Sequence, residues 1–198
     1  MGVSQYNQNM DTDAILLSLK LALWTLALIL PFGIWAAHSL IKLGKSRPWI
    51  EAALALPLVL PPTVLGYYLL VGLGGKEFLG IPLVFSFTGI LIASLIVNLP
   101  FAIQPIQRAF ESINPEIREA AQVSGLSNWQ IFRLIELPLA WRGITSAAVL
   151  TFAHTLGEFG VILMVGGAIP GETKTVSIAI YDKVQSFDTS GAGALSLI

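Results

Sequence analysis

Four long apolar runs set the strongest limit on how this chain can fold. A helix needs roughly 20 residues to cross a hydrocarbon core of about 30 Å, and each run provides that length. The composition agrees, because 55% of the residues are apolar and only 12% are charged, against roughly 25% charged in soluble domains. We therefore predict an all-α integral membrane protein, a polytopic helical bundle with complete spans at residues 14–37, 52–72, 83–103 and 144–165 and the start of a fifth at 194.

Basic residues are concentrated in two of the connecting loops. Seven of the eleven Lys and Arg residues fall in residues 38–51 and 104–143. Positively charged loops stay in the cytoplasm, so both loops are predicted to lie inside. The polar N-terminal tail, residues 1–13, is then external, and the protein is a multi-pass protein of the cell membrane.

Several kinds of chemistry find no support in the composition. There is no cysteine for a disulfide or a thiolate, and the two histidines, His38 and His154, are far apart in the chain. A net charge of −1 gives no indication of nucleic-acid binding. The chain also lacks a P-loop, so it has no nucleotide-binding motif of its own. We predict no catalytic residue, no metal site and no bound cofactor.

The second apolar run is rich in proline. Pro57, Pro61 and Pro62 cannot all sit in an undisturbed helix, because each removes a backbone donor. Either the helix is kinked and the kink is absorbed by packing, or a bent helix lines a path through the membrane together with Gly66 and Tyr67. Broken helices at membrane depth usually border a cavity or the protein interior, which favours the second interpretation.

The fourth run contains an acidic residue, Glu158, between Gly157 and Gly160. A carboxylate inside a span is costly and indicates a functional site. Because a carboxylate is a poor ligand for an anion, a structural or gating role is predicted, with Lys20 or His154 as the partner of Glu158.

Residues 115–138, here named the capped segment, form a polar island between apolar runs. Asn114 precedes Pro115 as an N-cap, and Gly125 suits the left-handed position after a helix. The S-x-x-Q pattern that begins at Ser127 predicts a second helix, stopped by Pro138. By its caps alone this could be an ordinary helical hairpin between two spans.

Three stretches of the chain resemble known permeases. The proline-rich residues 56–70 are similar to a stretch of molybdate-type permeases and, more loosely, of sulfate permeases, and residues 156–160 resemble a recurrent stretch of oxyanion permeases. Four blocks at fixed spacing resemble the EAA signature of ABC-importer permeases: Glu119-Ala120-Ala121, Gly125, Ile135 and Leu137-Pro138.

The resemblance implies a fold of the type I ABC-importer permease kind and a subunit that is not an enzyme. ATP would be hydrolysed by two partner ATPase subunits, which receive the signature residues. A second permease copy, forming a homodimer, and an extracytoplasmic substrate-binding protein are further implied partners. Molybdate is the expected substrate, with tungstate and sulfate as alternatives. Such permeases continue through a further span, so the sequence is expected to be truncated. The alternative class of protein is a channel or secondary transporter whose inner loop has only a structural role.

Overall fold

The fold is built almost entirely of helices. A computed structural model describes residues 3–78 and 80–197. Two short strands, β1 (Glu77–Phe78) and β2 (Ile81–Pro82), pair antiparallel with Phe78 opposite Ile81. The helices are α1 (Val3–Leu40), α2 (Arg47–Val59), α3 (Pro62–Leu73), α4 (Phe87–Glu111), α5 (Pro115–Val123), α6 (Asn128–Ile131), α7 (Leu137–Leu139), α8 (Trp141–Gly157), α9 (Gly160–Gly166), α10 (Val176–Gln185) and α11 (Thr189–Ser196), with a π-helical turn at Phe132–Glu136. The predicted helical class is confirmed.

Two helices in the described part of the chain are long and apolar enough to cross a membrane alone. These are the stretch Met10–Leu40 of α1 and the whole of α4. Two further crossings are possible if bent pairs each count as one: α2 with α3, bent by 106°, and α8 with α9, bent by 59°. The second apolar run is thus two helices at nearly a right angle, a sharper break than the bent helix that the sequence predicted.

The core of the bundle lies where α1, α4 and α8 pack together. Its largest fully buried side chain is Phe110, at the C-terminal end of α4, next to Ile103 and Ile106 of the same helix. Ala37 of α1 and Ala147 of α8 complete the contact and have no exposed surface. Small residues at these positions allow the helix backbones to approach closely, as is usual in membrane helix packing.

Two helices extend beyond the apolar runs that predicted them. Helix α4 continues to Glu111, eight residues past the predicted end, because Ile106 and Phe110 recur at helical spacing and pack into the core. Helix α8 already begins at Trp141. The loop predicted at residues 104–143 is therefore mostly helical.

The first turns of α1 after Met10 pack against α10 and α11. The predicted N-terminal tail is helical from Val3 onward, and Asp11 pairs with Lys183 of α10 at 3.1 Å. Helix α11 begins five residues before the apolar segment predicted at 194, because the Asp188 carboxylate accepts a hydrogen bond from the Gly191 amide at 2.9 Å. Ala14 and Leu195 share one apolar cluster.

Candidate functional site

The helix caps of the capped segment are formed as predicted. Helix α5 starts after Asn114, whose side-chain oxygen accepts a hydrogen bond from the Glu116 amide at 3.0 Å. Gly125 follows the helix with φ +80°, a conformation that suits glycine. Ser127 and Gln130 form both hydrogen bonds of a capping box. Local hydrogen bonds therefore determine where both short helices begin.

The signature residues of the capped segment form a largely exposed surface. Glu119, Ala120, Gly125 and Pro138 are exposed, Ile135 and Leu137 are half-buried, and Ala121 is buried. Large apolar side chains stand beside them in water-accessible positions, with Val123 90% and Trp129 65% exposed. An apolar patch on an otherwise polar segment is typical of a protein interaction site.

The prediction that Pro138 stops the second helix is wrong. A π-helical turn covers residues 132–136, and the Leu137 amide donates to the Phe132 carbonyl, five residues back. Helix α7 then resumes with Pro138 in its first positions, where a missing backbone N–H is tolerated. The π turn thus lets the chain pass a proline and continue into α8.

Glu136, a residue that the sequence analysis did not single out, lies at the end of this π turn. Its side chain is 6% exposed, and each of its two carboxylate oxygens has one side-chain partner. The Nε2 atom of His38, in α1, lies 2.8 Å from one carboxylate oxygen. Arg118 of α5 forms an ion pair with the other oxygen. We call His38, Arg118 and Glu136 the Glu136 cluster. The sequence signal that could have indicated this cluster is an acidic residue, Glu136, between the apolar residues Ile135 and Leu137.

The two breaks in the membrane helices meet at one place, which we call the break junction. A Cβ atom on Gly160, at the start of α9, would lie 2.8 Å from Cβ of Pro62, at the start of α3. One turn further, a Cβ on Gly66 would lie 2.7 Å from Cβ of Met164. Real Cβ atoms do not approach so closely, so glycine is required at both positions.

The structure brings only some of the predicted path residues to this junction. Pro61 forms the extended link between α2 and α3. Pro57 lies within α2, and Tyr67 is exposed on α3 beside Tyr68. A side chain at Gly157 would meet open space, so packing does not explain this glycine.

Glu158 lies in the break between α8 and α9 and stabilises it. One carboxylate oxygen accepts a hydrogen bond from the Val161 amide at 3.0 Å, in the first turn of α9. The other lies 3.7 Å from Nε2 of His154. The predicted pairing with His154 is therefore found, and the one with Lys20 is not, because the Lys20 ammonium lies 4.3 Å above the Phe87 ring.

Replacing Glu158 tests this capping role. Glu158→Ala leaves the amide at the start of α9 without its acceptor and should lower the free energy of unfolding by roughly 0.5–2 kcal/mol, as for other lost caps. Glu158→Gln keeps an acceptor oxygen and should lose less. Thermal unfolding of the detergent-solubilised protein measures both. Equal unfolding temperatures for the three proteins would contradict the role.

Apolar helices long enough to span a bilayer, two bent helix pairs in contact and an exposed capped segment define a polytopic helical membrane protein. The chain belongs to the family of inner membrane components of binding-protein-dependent transport systems, which matches residues 29–198. The predicted relationship to this kind of permease is thereby confirmed.

Individual relatives cover most of the chain. It is 44% identical to the molybdenum transport system permease protein ModB of Azotobacter vinelandii, over 92% of this chain and 84% of that protein. It is 37% identical to ModB of Escherichia coli K12, over 95% and 86%. The sulfate transport system permease protein CysW of Synechocystis is 31% identical, over 94% and 70%.

Proposed function

We propose that this chain is the membrane-spanning subunit of an ABC importer that takes up molybdate, driven by ATP hydrolysis on partner subunits. A single observation supports molybdate as the substrate. This chain is 44% and 37% identical to the two molybdenum permeases, but only 31% identical to the sulfate permease. The proline-rich stretch at residues 56–70 supports the same assignment.

The capped segment is the proposed docking surface for the ATPase. Its exposed apolar side chains and the exposed signature residues Glu119 and Ala120 would enter a groove on the partner. ATP binding can then bias the permease only through the difference in contact energy between two membrane arrangements. Two ATPase subunits, one for each of two identical permease copies, and an extracytoplasmic binding protein complete the proposed assembly.

The break junction is the proposed movable part of the translocation path. Here the first turns of α3 and α9 pack against each other through glycine contacts, and Glu158 caps the start of α9. Pro57, Pro61, Tyr67 and Gly157 are the remaining proposed path residues. Small shifts between two packed helices at such a break would open or close the path without unfolding either helix.

The proposed orientation follows from the charges of the loops. The residues at 38–51 and the capped segment face the cytoplasm, the N-terminus lies outside, and the chain crosses the membrane four times with a fifth crossing starting near Ala194. The 106° bend between α2 and α3 belongs to the second of these crossings.

Competition for uptake tests the substrate. Membrane vesicles that contain the complete importer should accumulate labelled molybdate in the presence of ATP, and excess tungstate should compete more strongly than excess sulfate. Sulfate competing as strongly as unlabelled molybdate would indicate a sulfate importer instead. Uptake that persists without ATP would indicate a channel or secondary transporter.

A further inference from the structure

We propose that Glu136 is a positioning residue that locks the capped segment to the C-terminal end of α1, so that the two move as one body during transport. This inference rests on the proposed function, in which the capped segment receives the motion of the ATPase. It assigns to one buried carboxylate the transfer of that motion to the first membrane helix.

The Glu136 carboxylate contacts two separate helices, α1 and α5. His38 lies in the last turn of α1 and is 98 residues before Glu136. Arg118 lies in α5, directly before the signature residue Glu119. Because each carboxylate oxygen serves one of these partners, neither can leave without exposing or unpairing the charge. A buried charge that loses a partner is strongly unfavourable, so the three groups resist separation.

Aromatic packing surrounds the same cluster and gives it a fixed geometry. The His38 ring centre lies 4.6 Å from that of Phe132, one turn before Glu136, and 5.5 Å from that of Phe110 in α4. A guanidinium nitrogen of Arg118 also donates to the Phe110 carbonyl at 3.3 Å. The cluster therefore joins α1, α5 and the π turn to one another and packs them against the C-terminal end of α4.

Little else attaches α5 to the bundle. The structure describes all nine residues of this helix, and among them only Ala121 is buried. The remaining surface is polar or exposed, so apolar packing alone gives a weak connection. The ion pair between Arg118 and Glu136 is thus placed to transmit a displacement of α5. Glu136 also ends a π turn, and such turns are frequent at functional sites.

A second group of ion pairs near the same end of α4 provides a matched control. Arg47 of α2 donates to Glu51 at 2.7 Å and pairs with Glu111 of α4. This group joins α2 to α4 and includes no residue of the capped segment. Glu51→Gln therefore removes a carboxylate from a neighbouring, more exposed group of ion pairs without touching the proposed connection.

The test uses the full complex of this chain with its ATPase subunits and binding protein, reconstituted in liposomes. The amount of labelled molybdate taken up per ATP hydrolysed is measured for wild type, Glu136→Gln and Glu51→Gln. We expect Glu136→Gln to lower this ratio at least about five-fold, the lower end for a coupling between two sites, and Glu51→Gln to leave it unchanged. An unchanged ratio in Glu136→Gln, or an equal loss in Glu51→Gln, would overturn the inference.

A distance measurement separates positioning from a general loss of stability. Spin labels replace Leu43, just after α1, and Glu116, in the first turn of α5. Both positions are exposed, and neither belongs to the signature residues or to the apolar side chains of the proposed docking surface. In the wild-type complex the distance distribution should stay narrow with and without ATP, and in Glu136→Gln it should broaden. If the wild-type distance distribution shifts or broadens with ATP as much as the distribution of Glu136→Gln does, the two elements do not move as one body.

The two proposals can fail separately. A wild-type complex that hydrolyses ATP but takes up no molybdate refutes the proposed substrate, and the label distances still test the Glu136 connection. If Glu136→Gln does not assemble, His38→Phe replaces it, because a phenyl ring keeps the aromatic packing but has no N–H for Glu136, and the pair between Arg118 and Glu136 stays in place. An unchanged transport ratio and a narrow distribution in His38→Phe would then overturn the inference.

Discussion

Gly125→Pro should uncouple ATP hydrolysis from molybdate uptake while the chain still inserts into the membrane. Gly125 has φ +80° at the turn between α5 and α6, whereas proline is fixed near −65°. The turn must therefore rearrange, and the signature residues on its two sides no longer form one docking surface. We expect the uptake per ATP to fall by about 5- to 150-fold, the range of typical coupling free energies.

The matched control for this variant is Gly75→Pro. Gly75 also has a positive φ, +69°, and a Cβ atom there would meet open space, as at Gly125. It lies before the hairpin of β1 and β2, on the proposed outer side, so its replacement should leave the ratio of uptake to hydrolysis unchanged. Glu119→Lys, which reverses an exposed charge of the docking surface, should act like Gly125→Pro. Normal uptake in both Glu119→Lys and Gly125→Pro would refute the docking role.

Gly66→Leu should abolish uptake by separating the two helices at the break junction. Any Cβ at this position would lie 2.7 Å from Cβ of Met164 and 3.1 Å from Cα of Val161. Because one of these neighbours is backbone, α9 itself would have to move. Overpacking of this kind costs about 1–3 kcal/mol or more, and here it falls on the proposed movable part of the path.

Gly72→Leu is the control on the same helix. Gly72 lies near the end of α3, and a Cβ there would meet no atom within 4 Å. The same change of side chain should therefore leave uptake and thermal stability close to those of wild type. If both leucine variants transported normally, close contact between α3 and α9 would not be needed for function. Equal losses in both would indicate a general effect of leucine in α3.

The sequence predicted the capped segment well because capping is local. Asn114, Ser127 and Gln130 form hydrogen bonds within three residues, and the Gly125 conformation depends on its own backbone. Proline effects were harder to predict. Pro138 was expected to stop a helix, yet one π turn placed it where its missing donor is tolerated. The size of the bend at Pro61 depended on the packing of α3 against α9.

The sequence by itself determined the helical class, the apolar segments, the caps and the family, because these depend on composition and on contacts within about one helical turn. Tertiary structure alone decided that Gly66 and Gly160 face neighbouring helices at close range and that Glu136 is shared between Arg118 and His38. The physical reason is chain separation. The contact between His38 and Glu136 spans 98 residues, and only the packing of α1 against α4 and α8 brings such residues together.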